Sequence, residues 1–224
     1  MNNKPGNRGP LGLLGGTFDP IHLGHLRLAE EAREALALEQ VCFIPAGDPP
    51  HRTAPAATPQ HRLAMVRIAT AGHPGYTVDD GEVAATGKSY TVLTLERLRE
   101  RHGPSRPLVL ILGADAFLGI TGWHRWAELF ELAHIAVANR ATHGSAWLDE
   151  RSPELHAATA RRVDNTPAAL ARAPAGSIIP FEMTPLAISA SLIREHLRCG
   201  RSSRYLLPDS VLDYIQLHNL YRRA

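Results

Sequence analysis

Two histidines, His22 and His25, follow the pair Gly15-Gly16 in the stretch LGLLGGTFDPIHLGHLRLAEEA. Glycines let a backbone approach an anion closely. N–H groups at a helix start donate to its oxygens, and the helix dipole adds attraction. Imidazoles three residues apart in a first helical turn face the same side. There they can donate hydrogen bonds to phosphate and stabilise the charge that builds on a transferring phosphorus centre. The patterns GxxxxGK[ST] and GxGxxG are missing from this loop, which disfavours a P-loop kinase and a dinucleotide-binding fold. The competing readings of the histidines are a zinc pair and two surface residues. Zinc is disfavoured because there is no HEXXH spacing and no cysteine nearby.

These residues need a strand before them and a helix after them. Short apolar runs bounded by turn residues, Leu11 to Leu14, Val41 to Ile44, Tyr76 to Val78, Leu108 to Leu112, Ile135 to Ala138 and Ser177 to Phe181, read as strands. Helical patterns lie between several of them: Leu26, Ala29, Ala32 and Leu36 on one face, then Arg62 to Ala71, then Thr91 to Arg101. Strand alternating with helix implies an α/β, Rossmann-like parallel sheet with helices on both faces, whose ligands bind outside the carboxyl ends of the strands. A small C-terminal helical part follows. SASLIREHLRCG has Ser189 as an N-cap and Gly200 as a stop, and PDSVLDYIQLHNLY has Pro208 near its start. The expected organisation is a flexible tail at 1–9, an α/β unit at 10–188, and a helical part of the same domain at 189–224. Proline-rich residues 47–60 should form an exposed loop, and residues 152–176 a helix up to Pro167 followed by a linker.

The chain has 224 residues, a formal charge of +2 and a pI near 8.7. That balance is far from the dense basic stripe of a nucleic-acid-binding protein. Cys42 and Cys199 lie too far apart in sequence to suggest a disulfide framework or a metal cluster, which fits a reducing, cytoplasmic setting. No run approaches the length of a membrane span, so no membrane partner is expected. A homo-oligomer is compatible with the sequence.

GGTFDPIHLGH resembles the signature of the nucleotidyltransferase superfamily that carries an HxGH motif at its first helix. The superfamily's second signature, ISxxxIR, is matched by Ile188, Ser189, Ser191, Ile193 and Arg194. GKSYTVLTLERLR, ILGADAFLGITGWHRWAELFELAHIAVANR and LLPDSVLDYIQLHNLY resemble the nicotinate-mononucleotide adenylyltransferase branch, so that the likeness runs from Leu11 to Arg222. Pro49, Pro50, His51 and Arg52 are similar to that branch's PPH[KR] element, and pantetheine-phosphate enzymes have no counterpart of GKSYT or of the Trp123 segment. The resemblance implies an enzyme of NAD biosynthesis that transfers AMP from ATP to nicotinate mononucleotide, with Mg²⁺ bridging ATP oxygens and no protein metal ligands. The choice between the acid and amide mononucleotide stays open.

By residue, the resemblance assigns His22, His25 and Arg194 to catalysis. Gly15, Gly16, Thr17, Phe18, Ser189 and Ser191 are assigned to ATP, and Thr91, Asp115, Trp123, His124, His51 and Arg52 to the mononucleotide. Each has a plainer rival. Trp123 and Trp126, three apart, suit a helix face in the core. Ser189 suits a cap alone, Asp115 a turn, Arg52 a solvated charge, and Thr17 and Phe18 the shape of the turn. Where relatives carry Arg-Arg-Pro-Gly, this chain has Asn139, Arg140, Ala141, Thr142 and His143, which leaves Arg140 as a nucleotide contact.

Overall fold

Successive residues of a strand point to opposite faces of its sheet, and here both faces are apolar. The computed structural model describes residues 9–50, 54–140 and 149–222, apart from the side chain of Arg140. Six strands, β1 (Leu11–Gly16), β2 (Gln40–Pro45), β3 (Tyr76–Val78), β4 (Leu108–Gly113), β5 (His134–Arg140) and β6 (Ile178–Met183), form one parallel sheet. Their spatial order is β3-β2-β1-β4-β5-β6. Each coincides with an expected apolar run, its ends slightly shifted. The helices are α1 (Leu23–Ala35), α2 (Pro59–Thr70), α3 (Gly81–Ala84), α4 (Thr91–His102), α5 (Ala114–Leu118), α6 (Leu129–Leu132), α7 (Pro153–Thr159), α8 (Ala190–Arg198) and α9 (Asp209–Leu217).

Leu14, Phe43, Ile111, Ala138 and Phe181 face one core with Ala29 and Ala32 of α1, Met65 and Val66 of α2, Ile193 of α8 and Ile215 of α9. Leu13, Ile44, Leu110, Val137 and Ile178 face the other, with Val92, Leu95 and Leu98 of α4 and Phe117 of α5. The chain leaves β1 in one direction through β2 and β3, then returns to the far side of β1 with β4. Between β1 and β4 the order reverses, and a crevice opens at their carboxyl ends.

Ser189 caps α8 by accepting the N–H of Leu192 at 3.2 Å, and Gly200 beyond that helix has the left-handed φ of +68° expected of a stop. The stretch 152–176 differs from expectation. Its helix ends at Thr159, long before Pro167, and a 3-10 turn spans Pro167–Ala171. Nor is it a linker: Leu155, Thr159, Ala169 and Leu170 are buried, and Val163 bridges to Ile178. The alanine-rich composition looks like spacer, yet Leu155 joins one core and Ala169 and Leu170 the other. Likewise the proline-rich loop is not exposed throughout, since Ala57 is buried just before Thr58 caps α2. Among the described residues no helix is long and apolar enough to cross a membrane.

Candidate active site

β1 runs out at Gly15 and Gly16, and the turn from Thr17 to His22 carries the chain into α1. Phe18 takes a left-handed backbone (φ 51°), unusual for a bulky residue, and its buried ring packs edge-on to His25 at 5.0 Å between centroids. His22 is the N-cap of α1, with extended backbone, and His25 is the third helical residue. The two imidazoles still share one side, stacked at 3.7 Å and 26°. Gly24 between them suits this stacking, since a Cβ there would come within 3.1 Å of the His22 ring and push it aside by a few tenths of an ångström. His25 Nδ1 accepts the backbone N–H of His22 at 3.3 Å, which places the proton of the neutral ring on Nε2 and makes that nitrogen a donor. Burial lowers the His22 pKa to about 4, so that ring is neutral at physiological pH.

Opposite the histidines stands the start of α8. Ser189, Ser191 and Arg194 line a cavity of about 690 Å³ together with Gly15, Gly16, Thr17, Phe18, His22 and His25. Arg194 reaches across to the turn: its Nη1 donates to the Asp19 carbonyl at 2.7 Å, and its Nη2 to Ser191 Oγ at 3.2 Å. Asp19 is buried beneath, accepting the N–H groups of Ala56 at 2.8 Å and Ala57 at 3.1 Å and the Tyr221 hydroxyl at 2.7 Å. Burial and the neighbouring Asp19 charge push the Tyr221 phenol pKa up.

A second cavity of about 500 Å³ lies against the carboxyl ends of β1, β2 and β4, and Gly15, Gly16, Thr17 and His25 line it too. The two compartments therefore share a wall. Thr91, Asp115, Trp123 and His124 line the second compartment, with Pro49, Pro50, Glu82 and Tyr90. Trp123 is not on a helix face: it sits extended between 3-10 turns at Ile120–Gly122 and Trp126–Glu128. Trp126 packs on Phe130 at 6.2 Å, and both indoles lie partly buried against the same core, Trp123 also lining the cavity. His124 lies 4.5 Å from the Tyr90 ring, and Asp115 stands exposed in the first turn of α5. Burial raises the Glu82 carboxyl, partly offset by the Thr94 hydroxyl donating to it at 2.6 Å.

His51 and Arg52 lie outside the described residues. Arg140 ends β5 beside Met183, with its side chain likewise outside them. Among the described residues, no group of three or more His, Cys, Asp or Glu could hold a metal ion. Sequence reasoning passed over Asp19, Arg62, Glu82 and Tyr221. Asp19 lies inside the GGTFDPIHLGH stretch, which was its one visible signal.

Comparison with known proteins bears on this arrangement. The Cytidylyltransferase-like family matches residues 13–196. A protein of Dechloromonas aromatica (strain RCB), named a probable nicotinate-nucleotide adenylyltransferase, is 53% identical over 218 residues, covering 96% of this chain and 99% of the relative. The chain belongs to the nicotinate-nucleotide adenylyltransferase family. An Acidithiobacillus ferrooxidans relative bearing the same name is 49% identical over 94% of each chain. Among solved structures, the Plasmodium falciparum nicotinic acid mononucleotide adenylyltransferase complexed with NaAD superposes with a TM-score of 0.71 at 17% identity, covering 96% of this chain and 98% of that one. At that identity the likeness speaks for the fold, the six-stranded Rossmann-like sheet, and family membership rests on the sequences.

Proposed function

We propose that this chain transfers AMP from ATP to nicotinate mononucleotide, giving nicotinate adenine dinucleotide and pyrophosphate. The observation that carries the reading is the wall of Gly15, Gly16, Thr17 and His25 common to both compartments. A triphosphate between the histidines and Arg194 presents its α-phosphorus at that wall, and a mononucleotide against Trp123 presents its phosphate from the other side.

A mononucleotide oxygen then attacks the α-phosphorus in line with departing pyrophosphate, whose bridging oxygen keeps the electron pair of the broken bond. The nucleophile is a phosphate already ionised at neutral pH, so the reaction requires no general base. Catalysis rests on alignment and on charge stabilisation. His25 Nε2–H and the neutral His22 ring supply hydrogen bonds to the reacting phosphate, and Arg194 supplies fixed positive charge from α8. Backbone groups of Gly16 to Phe18 and the Ser189 and Ser191 hydroxyls complete the grip. Trp123 offers its face to the pyridine ring, with Thr91, Asp115 and His124 around it. Mg²⁺ would enter on ATP as part of the substrate and add positive charge at its phosphates; the one carboxylate lining this side, Asp19, is already engaged by two backbone N–H groups and the Tyr221 hydroxyl, beside imidazole, hydroxyl and guanidinium groups.

Pyrophosphate release measured with ATP and, in parallel, nicotinate mononucleotide, its amide and phosphopantetheine tests the reading. The acid is expected to give the highest kcat/KM. Preference for phosphopantetheine, or ATP binding without pyrophosphate release under any pairing, would overturn it.

A further inference from the structure

The bulkiest fully buried side chain among the described residues is charged. Arg62, 0% exposed, sits in the first turn of α2, where the helix dipole disfavours a cation. Among the described residues no carboxylate lies within ion-pair distance of it. Its partners are backbone carbonyls: Nη1 donates to Thr17 at 2.7 Å and Ala46 at 2.6 Å, Nη2 to Gly47 at 2.8 Å, and Nε to Ala57 at 3.3 Å. A buried guanidinium on a helix start is costly to place. Local rules broken in this way point to a demand made by the site.

The four carbonyls belong to three segments that are separate in sequence. Thr17 is the phosphate turn and part of the shared wall, Ala46 lines the mononucleotide compartment, and Ala57 leads into α2. Gly47 is gripped from its other side as well: its N–H donates to Ser89 Oγ at 2.9 Å, and the Asp48 N–H to the same oxygen at 3.2 Å. Ser89 stands directly before Tyr90 and Thr91. A continuous chain of hydrogen bonds therefore runs from Thr17 through Arg62 and Gly47 to Ser89.

We infer that Arg62 is a positioning residue that holds the ATP side and the mononucleotide side of the cleft in register, through Thr17 on one hand and the Ala46–Gly47 turn and Ser89 on the other. The inference rests on the two-compartment reading proposed above. The planar fork is suited to it, because three nitrogens diverging in one plane reach carbonyls that a lysine ammonium, donating from one point, cannot span together. Its charge also lies directly behind the turn assigned to phosphate and favours an anion there.

The test measures ATP and nicotinate mononucleotide binding separately by calorimetry on wild type, Arg62→Lys, Ser89→Ala and the double variant. Steady-state kinetics follow, with near-UV circular dichroism to establish folding. Arg62→Lys is expected to weaken both ligands by roughly tenfold and to lower kcat, from the loss of charge-assisted hydrogen bonds. Ser89→Ala, which removes the oxygen that accepts the Gly47 and Asp48 N–H groups and that also bonds Glu82 in the cavity wall, leaves the Thr17 end of the chain intact and is expected to weaken the mononucleotide alone. Because Arg62 also acts through Gly47, the two effects on the mononucleotide should be less than multiplicative in the double variant. A folded Arg62→Lys that binds both ligands as wild type does, or loses only one, overturns the inference. So does a loss of kcat that merely tracks the folded fraction with both affinities unchanged. If the lysine variant does not fold, Ser89→Ala decides alone: unchanged binding, or equal weakening of both ligands, counts against the role. A wild type that binds both ligands but releases no pyrophosphate refutes the proposed function and leaves the binding comparison standing.

Discussion

The phosphate compartment is assembled largely from opposite ends of the chain, whereas the mononucleotide compartment, apart from the wall of β1 and α1 residues, comes from its middle. Arg194 bonds to a turn 175 residues earlier, and Tyr221 reaches back to the same Asp19. On that side the polar wall combines the two histidines, the Thr17, Ser189 and Ser191 hydroxyls, Arg194 and the Asp19 carboxylate. On the other side prolines, Tyr90 and Trp123 stand on consecutive βα connections, with polar groups only here and there. In the proposed reading, groups suited to charge come from far apart in the chain, and groups suited to a flat ring from nearer together. The first compartment should thus govern the rate of the chemical step, and the second the capture of one substrate.

The sharpest way to break this division is His25→Ala. It is expected to lower kcat by on the order of 10²-fold, as loss of one donor to a reacting oxyanion does, with a circular dichroism spectrum close to wild type. Unchanged turnover would remove the histidine from the chemistry.

Next in size is a pH effect confined to the phosphate side. Below its ordinary pKa of 6.5 the unfolded chain protonates His22, while the folded chain refuses that proton until about pH 4. Stability therefore falls as pH drops through that window, by about 2 kcal/mol between pH 7 and pH 5 from this residue. Urea titrations of wild type and His22→Asn should diverge in pH dependence by about that amount, and parallel curves would show that the ring is not held neutral.

The smallest expected effect lies across the wall. Trp123→Ala should raise the mononucleotide KM about tenfold, the worth of one ring stack, while moving the ATP KM less than about twofold. Equal shifts in both would erase the distinction between the compartments.

What the sequence discloses follows the same division. The strands were legible because a doubly covered parallel sheet writes each one as a continuous apolar run. His22, His25, Ser189 and Arg194 were legible because they cluster within short signatures whose residue types match phosphate chemistry. Arg62 was not, since its partners are main-chain carbonyls, which carry no trace in side-chain identity. Asp19 and Tyr221 meet only after folding brings the last turns of the chain onto the first loop. Trp123 and Trp126 have helical spacing, yet the segment breaks into 3-10 turns around a left-handed Arg125 (φ 52°), so periodicity misdescribes it. Residues 152–176 misled through composition: within an alanine-rich stretch that reads as spacer, Leu155, Thr159, Ala169 and Leu170 pack into the core.

The shared wall of Gly15, Gly16, Thr17 and His25 also bears on the order of departure. In the proposed reaction pyrophosphate is held by one compartment only, whereas the dinucleotide keeps a hold in both. The small anion is expected to leave first and the long product to linger, which would show as a rapid first round of pyrophosphate followed by a slower steady flow.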